Sequence, residues 1–337
     1  MLATYAAAGS GHNRYASFEI NRHSALQYNS YNLKEASPQR LCQGPFMEIT
    51  SDIIHTPPRD AATVIILRDS PAGLEVFLVK RHGLSDVLGG AYVFPGGKLD
   101  DSDLLLAETA HLDQDASQLH AALGEPGLDL PVARGLYVAA LREAFEECGV
   151  LFAQDAAHSH SLQLAEQLKA GQSFNQVLQH LQLRLQTQAV LPWSRWITPR
   201  MPSIASKRFD TRFFVAALPA HQIASHDNVE TTESVWLLPR VALEQYWARE
   251  IELAPPQIMT LAHLSRHADV ASVLSAARQA SPALVAPEPF NEDGERVICY
   301  PGDPRHSIAL PAMPGPTRLR FRNKRFEPEQ GFAALFA

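Results

Sequence analysis

The sequence predicts an α/β protein with strands and helices interspersed along a chain of 337 residues. Three observations carry that prediction. Residues 61–67 (Ala-Ala-Thr-Val-Ile-Ile-Leu) form a β-branched apolar run of strand length. Residues 136–148 show helical periodicity, with Val138, Leu141, Phe145 and Cys148 on one face and Glu143, Glu146 and Glu147 on the other. Further strand-like runs alternate with helical patterns to about residue 277.

The elements follow in order. Residues 1–46 are rich in Ala, Ser, Asn, Tyr and Gln without periodicity, and 1–56 are expected to be a disordered arm, with Met47 as an alternative translation start. Strand 61–67 pairs with strand 74–80 across the turn residues Asp69-Ser70-Pro71-Ala72-Gly73. A short strand at 91–94 leads into Gly96-Gly97. The helix at 136–148 ends at Gly149, a residue free to adopt positive φ. Residues 150–152 are expected to start a strand, and the Leu/Gln-rich stretch 160–189 to form two helices. Strands are expected at 193–198, 212–218 and 234–238, then a helix at 241–250 and two more within 255–277. From 281 the chain is Pro-rich, with one hairpin expected near 297–300.

Composition narrows the functional classes. With 46% hydrophobic and 19% charged residues, the chain can bury a sizeable core. A net charge of −7 argues against a nucleic-acid partner, which calls for a basic surface. No apolar run approaches the ~18 residues of a membrane span, and a secretory signal is not expected, since no basic stretch followed by an apolar one stands near residue 1. Cys42, Cys148 and Cys299 have no CxxC spacing, which fits a reducing compartment and points to a cytoplasmic protein.

The acidic helix face needs an explanation. Like charges at i,i+3 and i,i+4 repel by a few tenths of a kcal/mol per pair. A solvated acidic face is the ordinary alternative. A divalent cation would offset the repulsion, and oxygen-only ligands suit Mg²⁺ or Mn²⁺ rather than zinc. Arg142 lies one turn before Glu146 and can orient it. Upstream stands Phe94-Pro95-Gly96-Gly97-Lys98-Leu99-Asp100, a glycine turn after a strand-like run.

Together these residues resemble the Nudix box: Gly, five residues, Glu, seven residues, then Arg-Glu-U-x-Glu-Glu-x-Gly-U, with U a bulky aliphatic residue. Arg142, Glu143, Glu146, Glu147, Gly149 and Val150 fit its second half, with the small Ala144 at the first U. Gly97 fits its start, but Asp103 stands where Glu is expected. An uninterrupted box would place the arginine at 111; it stands at 142, 31 residues later. Such an interruption resembles the split-box branch that includes peroxisomal coenzyme A diphosphatases. Trp196-Ile197-Thr198-Pro199 and Arg208-Phe209-Asp210-Thr211-Arg212-Phe213-Phe214 resemble that branch as well. The chain ends Leu335-Phe336-Ala337, without a peroxisomal tripeptide.

The resemblance implies a Nudix α/β/α sandwich with a mixed sheet over residues 57–250, a helical insertion at about 101–134 inside the box, and C-terminal helices with a Pro-rich tail over 251–337. It implies hydrolysis of a nucleoside diphosphate linked to another moiety, with Mg²⁺ or Mn²⁺ held by Glu143, Glu146, Glu147 and the Gly97 carbonyl. Arg142 would orient that set. Glu143 is the first choice for general base, and Glu230 and Glu233 are the later-loop alternatives. Lys98 and Arg208 are expected to contact substrate. The branch points to coenzyme A or an acyl-CoA; a nucleotide sugar or dinucleotide is the second substrate reading. A catalytically silent ligand-sensing domain is the third reading. A homodimer is the assembly common in that family.

Overall fold

The computed structural model describes residues 53–83, 88–106, 111–201, 207–227 and 229–337. The expected arm at 1–56 lies outside them except for its last four residues. The described residues fall in one unit by their contacts. Its centre is a mixed sheet of eight strands: β1 (Arg59–Ser70), β2 (Gly73–Arg81), β3 (Tyr92–Val93), β4 (Gly96–Lys98), β5 (Leu191–Ile197), β6 (Phe209–Ala217), β7 (Thr231–Leu237) and β8 (Ala283–Val285). The spatial order is β3-β2-β1-β6-β5-β8, with β4 paired to β1 and β7 to β2. β1 runs parallel to β6 and β5 parallel to β8; the other pairs are antiparallel.

Successive strand residues point to opposite faces, so a fully buried strand needs apolar residues at every position. β1 meets that demand. Val64 and Ile66 enter one core cluster, and Ile65 and Leu67 enter the other. The first face is covered by α1 (Ala116–Leu123), α2 (Leu130–Cys148), α3 (His158–Lys169) and α4 (Phe174–His180). The second is covered by α5 (Pro239–Ala248), α6 (Pro255–Leu264) and α7 (Val270–Gln279). The architecture is therefore the α/β/α sandwich with a mixed sheet. Among the described residues no helix is long and apolar enough to cross a membrane.

Three local expectations are corrected. The acidic helix begins at Leu130 rather than near 136, so its first turns lie inside the expected insertion. Pro131 sits in the first turn, where a missing N–H costs nothing. Gly135, inside this helix, lets Leu104 pack close: a Cβ there would lie 2.6 Å from Leu104 Cδ2 and force that side chain to shift. Residues 150–152 form no strand: the Leu151 N–H and C=O are satisfied by the Gln222 carboxamide, at 2.8 and 2.7 Å. The C-terminal region holds a second sheet as well as helices. β9 (Glu288–Glu292), β10 (Glu295–Cys299), β11 (Arg318–Arg322) and β12 (Arg325–Pro328) are antiparallel in the order β12-β11-β10-β9, and Ile298, Leu319 and Phe326 join the second core cluster.

The insertion is fastened to the sheet by charge. Glu125, in the turn after α1, pairs with Arg195 and Arg212 at 2.7 Å each. Arg212 is only 2% exposed and also meets Asp60 and Asp210. Breaking a buried pair leaves uncompensated charge, at about 3–5 kcal/mol. Arg212→Leu is therefore expected to lower unfolding free energy by about that amount, read as a reduced urea midpoint.

Candidate active site

Helix α2 carries the site because its two faces have different jobs. Val138, Leu141 and Cys148 are buried in the first core cluster. Glu143, Glu146 and Glu147 line a cleft of about 1030 Å³ at the ends of the central strands. Burial raises the Cys148 thiol well above its usual range, so it is a packing group. The helix ends at Gly149, φ 70°, as its sequence predicts.

Arg142 organises the acidic groups. Its guanidinium is 6% exposed. Nε and Nη2 donate to the two Asp103 oxygens at 2.9 and 3.0 Å. Nη1 donates to Glu143 at 2.7 Å and Glu146 at 2.9 Å, and Nη2 to the Lys98 carbonyl at 3.2 Å. Burial works against its charge, but Asp103, Glu143 and Glu146 hold its pKa above the usual arginine range. Asp103, the residue that departs from the box pattern, is fully buried and makes a two-bond fork with Arg142 despite its shorter side chain.

One guanidinium does not neutralise this many carboxylates. Burial pushes the Glu143 carboxyl up to about 7, against the pull of Arg142. Burial and the neighbouring Glu143 push Glu147 up to about 8, although the Gly96 N–H and Arg81 oppose this. Burial raises Glu146 as well. The box loop supplies close backbone. The Gly96 N–H donates to Glu147 Oε2 at 3.0 Å. A Cβ on Gly97 would lie 2.2 Å from Glu143 Oε1, so only glycine leaves room for that carboxylate.

Does this set fit a metal? Among the described residues, no three His, Cys, Asp or Glu side chains converge on one point as they stand. Arg142 engages Glu143 and Glu146, and Gly96 engages Glu147. The chemistry nevertheless fits a hard divalent cation. Three oxygen donors lie on one helix face, hold protons unusually well, and adjoin a backbone stripped of side chain at Gly97.

The other expected residues divide. Lys98 lines the cleft and pairs with Asp100 at 2.5 Å. Arg208 does not line it; the guanidinium donates to the Thr198 and Thr56 carbonyls at 2.9 and 3.2 Å. Glu233 faces Lys80 across the β2–β7 ladder, 3.3 Å away, and a hydrogen bond from Tyr92 and the Lys80 charge hold its carboxyl below the usual range. It is absent from the cleft lining, whereas Glu230 lines it. The Asp227 carboxylate fixes the Glu230 loop by accepting from the N–H groups of Val229, Glu230 and Thr231.

Sequence reasoning assigns no role to several lining residues. Arg81 Nε is buried without a hydrogen-bond partner beside the acidic centre. Trp196, Phe213 and Phe94 form a continuous aromatic wall, with ring centroids 6.3 and 6.4 Å apart. Pro255, Pro256 and Gln257 enter from α6. The proline pair signals a helix start, but nothing in it says that the helix opens on a cleft.

Comparison with known proteins agrees with this geometry. The family model described as NUDT19 Nudix domain matches residues 115–264. "Acyl-coenzyme A diphosphatase NUDT19" from Xenopus laevis is 28% identical over 238 residues, covering 60% of this chain and 63% of the relative. The Homo sapiens protein of that name is 28% identical over 243 residues, covering 61% and 64%. The chain thus spans less than two thirds of the length of either. Among solved structures, a NUDIX hydrolase from Alicyclobacillus acidocaldarius aligns with a TM-score of 0.52 and 25% identity, covering 68% of this chain and 98% of that one.

The raised carboxyl pKa values give a signed prediction. The folded chain binds protons at Glu143 and Glu147 more tightly than the unfolded chain, so their contribution favours folding at low pH and is lost as pH rises through about 7 to 8. The Tm of chelator-treated protein is expected to fall between about pH 6 and about pH 8.5, and less so in Glu147→Gln. A divalent cation should restore most of the loss at the upper pH.

Proposed function

Since the chain belongs to the Nudix family, we propose that it is a divalent-cation-dependent hydrolase that cleaves the pyrophosphate of a nucleoside diphosphate derivative, with coenzyme A or an acyl-CoA as substrate. One observation carries the reading: a single cleft of about 1030 Å³ joins the acidic centre on α2 to a long wall of aromatic and proline residues. The acidic end suits a metal-bridged pyrophosphate. The apolar end suits a large organic group on its far side. The relatives named for acyl-CoA diphosphatase activity support that substrate class.

Glu143, Glu146 and Glu147, with the Gly97 carbonyl, would hold Mg²⁺ or Mn²⁺. When bound, such an ion supplies charge neutralisation for the pyrophosphate and acidifies water. The chain's own groups do the rest. Arg142 keeps Glu143 and Glu146 oriented through hydrogen bonds of 2.7 and 2.9 Å. Arg81 and Lys98, both in the cleft lining, would contact phosphate oxygens. Glu143 is better used as a ligand than as a base, because a bound cation displaces its proton. The base role falls to Glu230, which faces the cleft from the opposite loop and is not engaged by Arg142.

The test is a substrate panel with Mg²⁺ and Mn²⁺: coenzyme A, acyl-CoA, an ADP-sugar and a dinucleotide. Coenzyme A derivatives are expected to give phosphoadenosine products at the highest kcat/KM. No turnover of any diphosphate would overturn the assignment. Glu146→Gln/Glu147→Gln is expected to abolish metal-dependent turnover. Glu230→Gln should lower kcat by about 10²-fold or more while leaving metal affinity intact. Glu233→Gln should stay near wild type.

A further inference from the structure

Among the described residues, nothing satisfies the Gln257 Oε1. The residue is 6% exposed, and that atom is buried without a hydrogen-bond partner. It stands in the first turn of α6 and lines the main cleft on the side away from the acidic helix. The same cleft lining includes buried apolar residues. Trp196 and Phe213 are each 4% exposed, Ile298 is 5% exposed, and Pro255 and Pro256 precede it in the lining. The Trp196 indole N–H is committed to Ser194 Oγ at 3.2 Å and offers the carboxamide nothing. A buried carboxamide left unpaired in such a wall is costly, and native proteins keep few of them.

The local backbone says what kind of group would satisfy it. Helix N-termini commonly bind anions through convergent N–H groups. Here Pro255 and Pro256 carry no N–H, so the first turn of α6 lacks two of those donors. A carboxamide offers one acceptor and one donor side by side, and a half-turn of its last torsion exchanges them. Its complement is an uncharged group presenting a donor and an acceptor together.

We propose that Gln257 is the specificity-determining residue of a neutral subsite, pairing with the donor–acceptor edge of an uncharged ligand group while Trp196 and Phe213 wall the slot. Two parts of a nucleoside diphosphate derivative carry uncharged donors and acceptors: the edge of a nucleobase and the secondary amide of an acyclic arm. Glutamine pairs with the adenine edge through both of its polar atoms, whereas a trans secondary amide points its N–H and C=O in opposite directions and pairs through one of them. The subsite deepens the function proposed above and rests on it only for the identity of the ligand.

The test reads binding, not turnover. The full chain, without added metal, is titrated calorimetrically with AMP, IMP and pantetheine, none of which contains a pyrophosphate. The wild-type protein is expected to bind AMP or pantetheine, and Gln257→Leu to weaken that binding at least tenfold. Preference for AMP over IMP that disappears in the variant assigns the subsite to the base; loss confined to pantetheine assigns it to the amide arm. Gln257→Asn, which withdraws the same group by one methylene, should show the same loss and guards against misfolding of the leucine variant. Affinities within twofold of wild type for all three probes would overturn the proposal, as would no wild-type binding of any probe at about 10 mM, a concentration that detects even very weak association. A chain that hydrolyses no diphosphate yet loses binding on substitution contradicts the function and not the subsite. An active chain with unchanged affinities contradicts the subsite alone.

Discussion

The Arg142 guanidinium is the point on which this structure depends. It ties together three pieces of chain: its own helix through Glu143 and Glu146, the short 3-10 turn at residues 101–105 through Asp103, and the glycine loop through the Lys98 carbonyl. A buried cation needs all its hydrogen bonds answered, and this one has them answered by groups that would otherwise repel one another. The same pairing explains how the motif survives its interruption. Asp103 and Arg142 lie 39 residues apart in sequence, yet form a direct fork. The inserted chain leaves and rejoins at the two ends of one ion pair, so its length does not disturb the geometry between them. Loop closure adds only ~0.6 kcal/mol per doubling of length, and Glu125 fastens the excursion to Arg195 and Arg212 on the sheet.

The surplus of carboxylate over guanidinium then sets the character of the cleft. Glu143 and Glu147 hold protons near neutrality because burial denies them solvent, and at Glu147 the neighbouring Glu143 adds to the rise. Such a site is poised to exchange protons for a metal. The sheet carries that chemistry to a second, different surface. β1 places alternate residues in two separate cores, and the start of α6 with Ile298 of the small C-terminal sheet joins Trp196 and Phe213 of the central sheet in the apolar part of the cleft. A polar reaction centre on α2 and an apolar wall drawn from other elements thus share one cleft.

What could be read from sequence was what obeys local rules. Glu143, Glu146 and Glu147 share a face by helical period, Gly149 ends that helix because only positive φ suits it, and residues 61–67 read as a buried strand because both faces are apolar. What could not be read depends on distant partners. Gly135 hides a helical turn against which Leu104 packs. Residues 150–152 have strand composition, but the Gln222 side chain takes their backbone bonds. The C-terminal sheet is assembled from short strands among prolines and turns that give little period to detect. Arg208 and Glu233 have the residue types of functional groups, yet backbone carbonyls claim one and Lys80 with Tyr92 the other. Gln257 carries no sequence signal, since its significance is the absence of a partner.

The central claim is that the acidic centre on α2 takes up a divalent cation in exchange for protons. Calorimetric titration with Mn²⁺ at about pH 7, in buffers of different ionisation enthalpy, measures that exchange directly. The account predicts an observed heat that varies with the buffer, showing net proton release, and a dependence that weakens as pH rises through about 8, the upper of the two raised carboxyl values. A heat independent of the buffer at about pH 7, or no cation binding even at about pH 8.5, would contradict it.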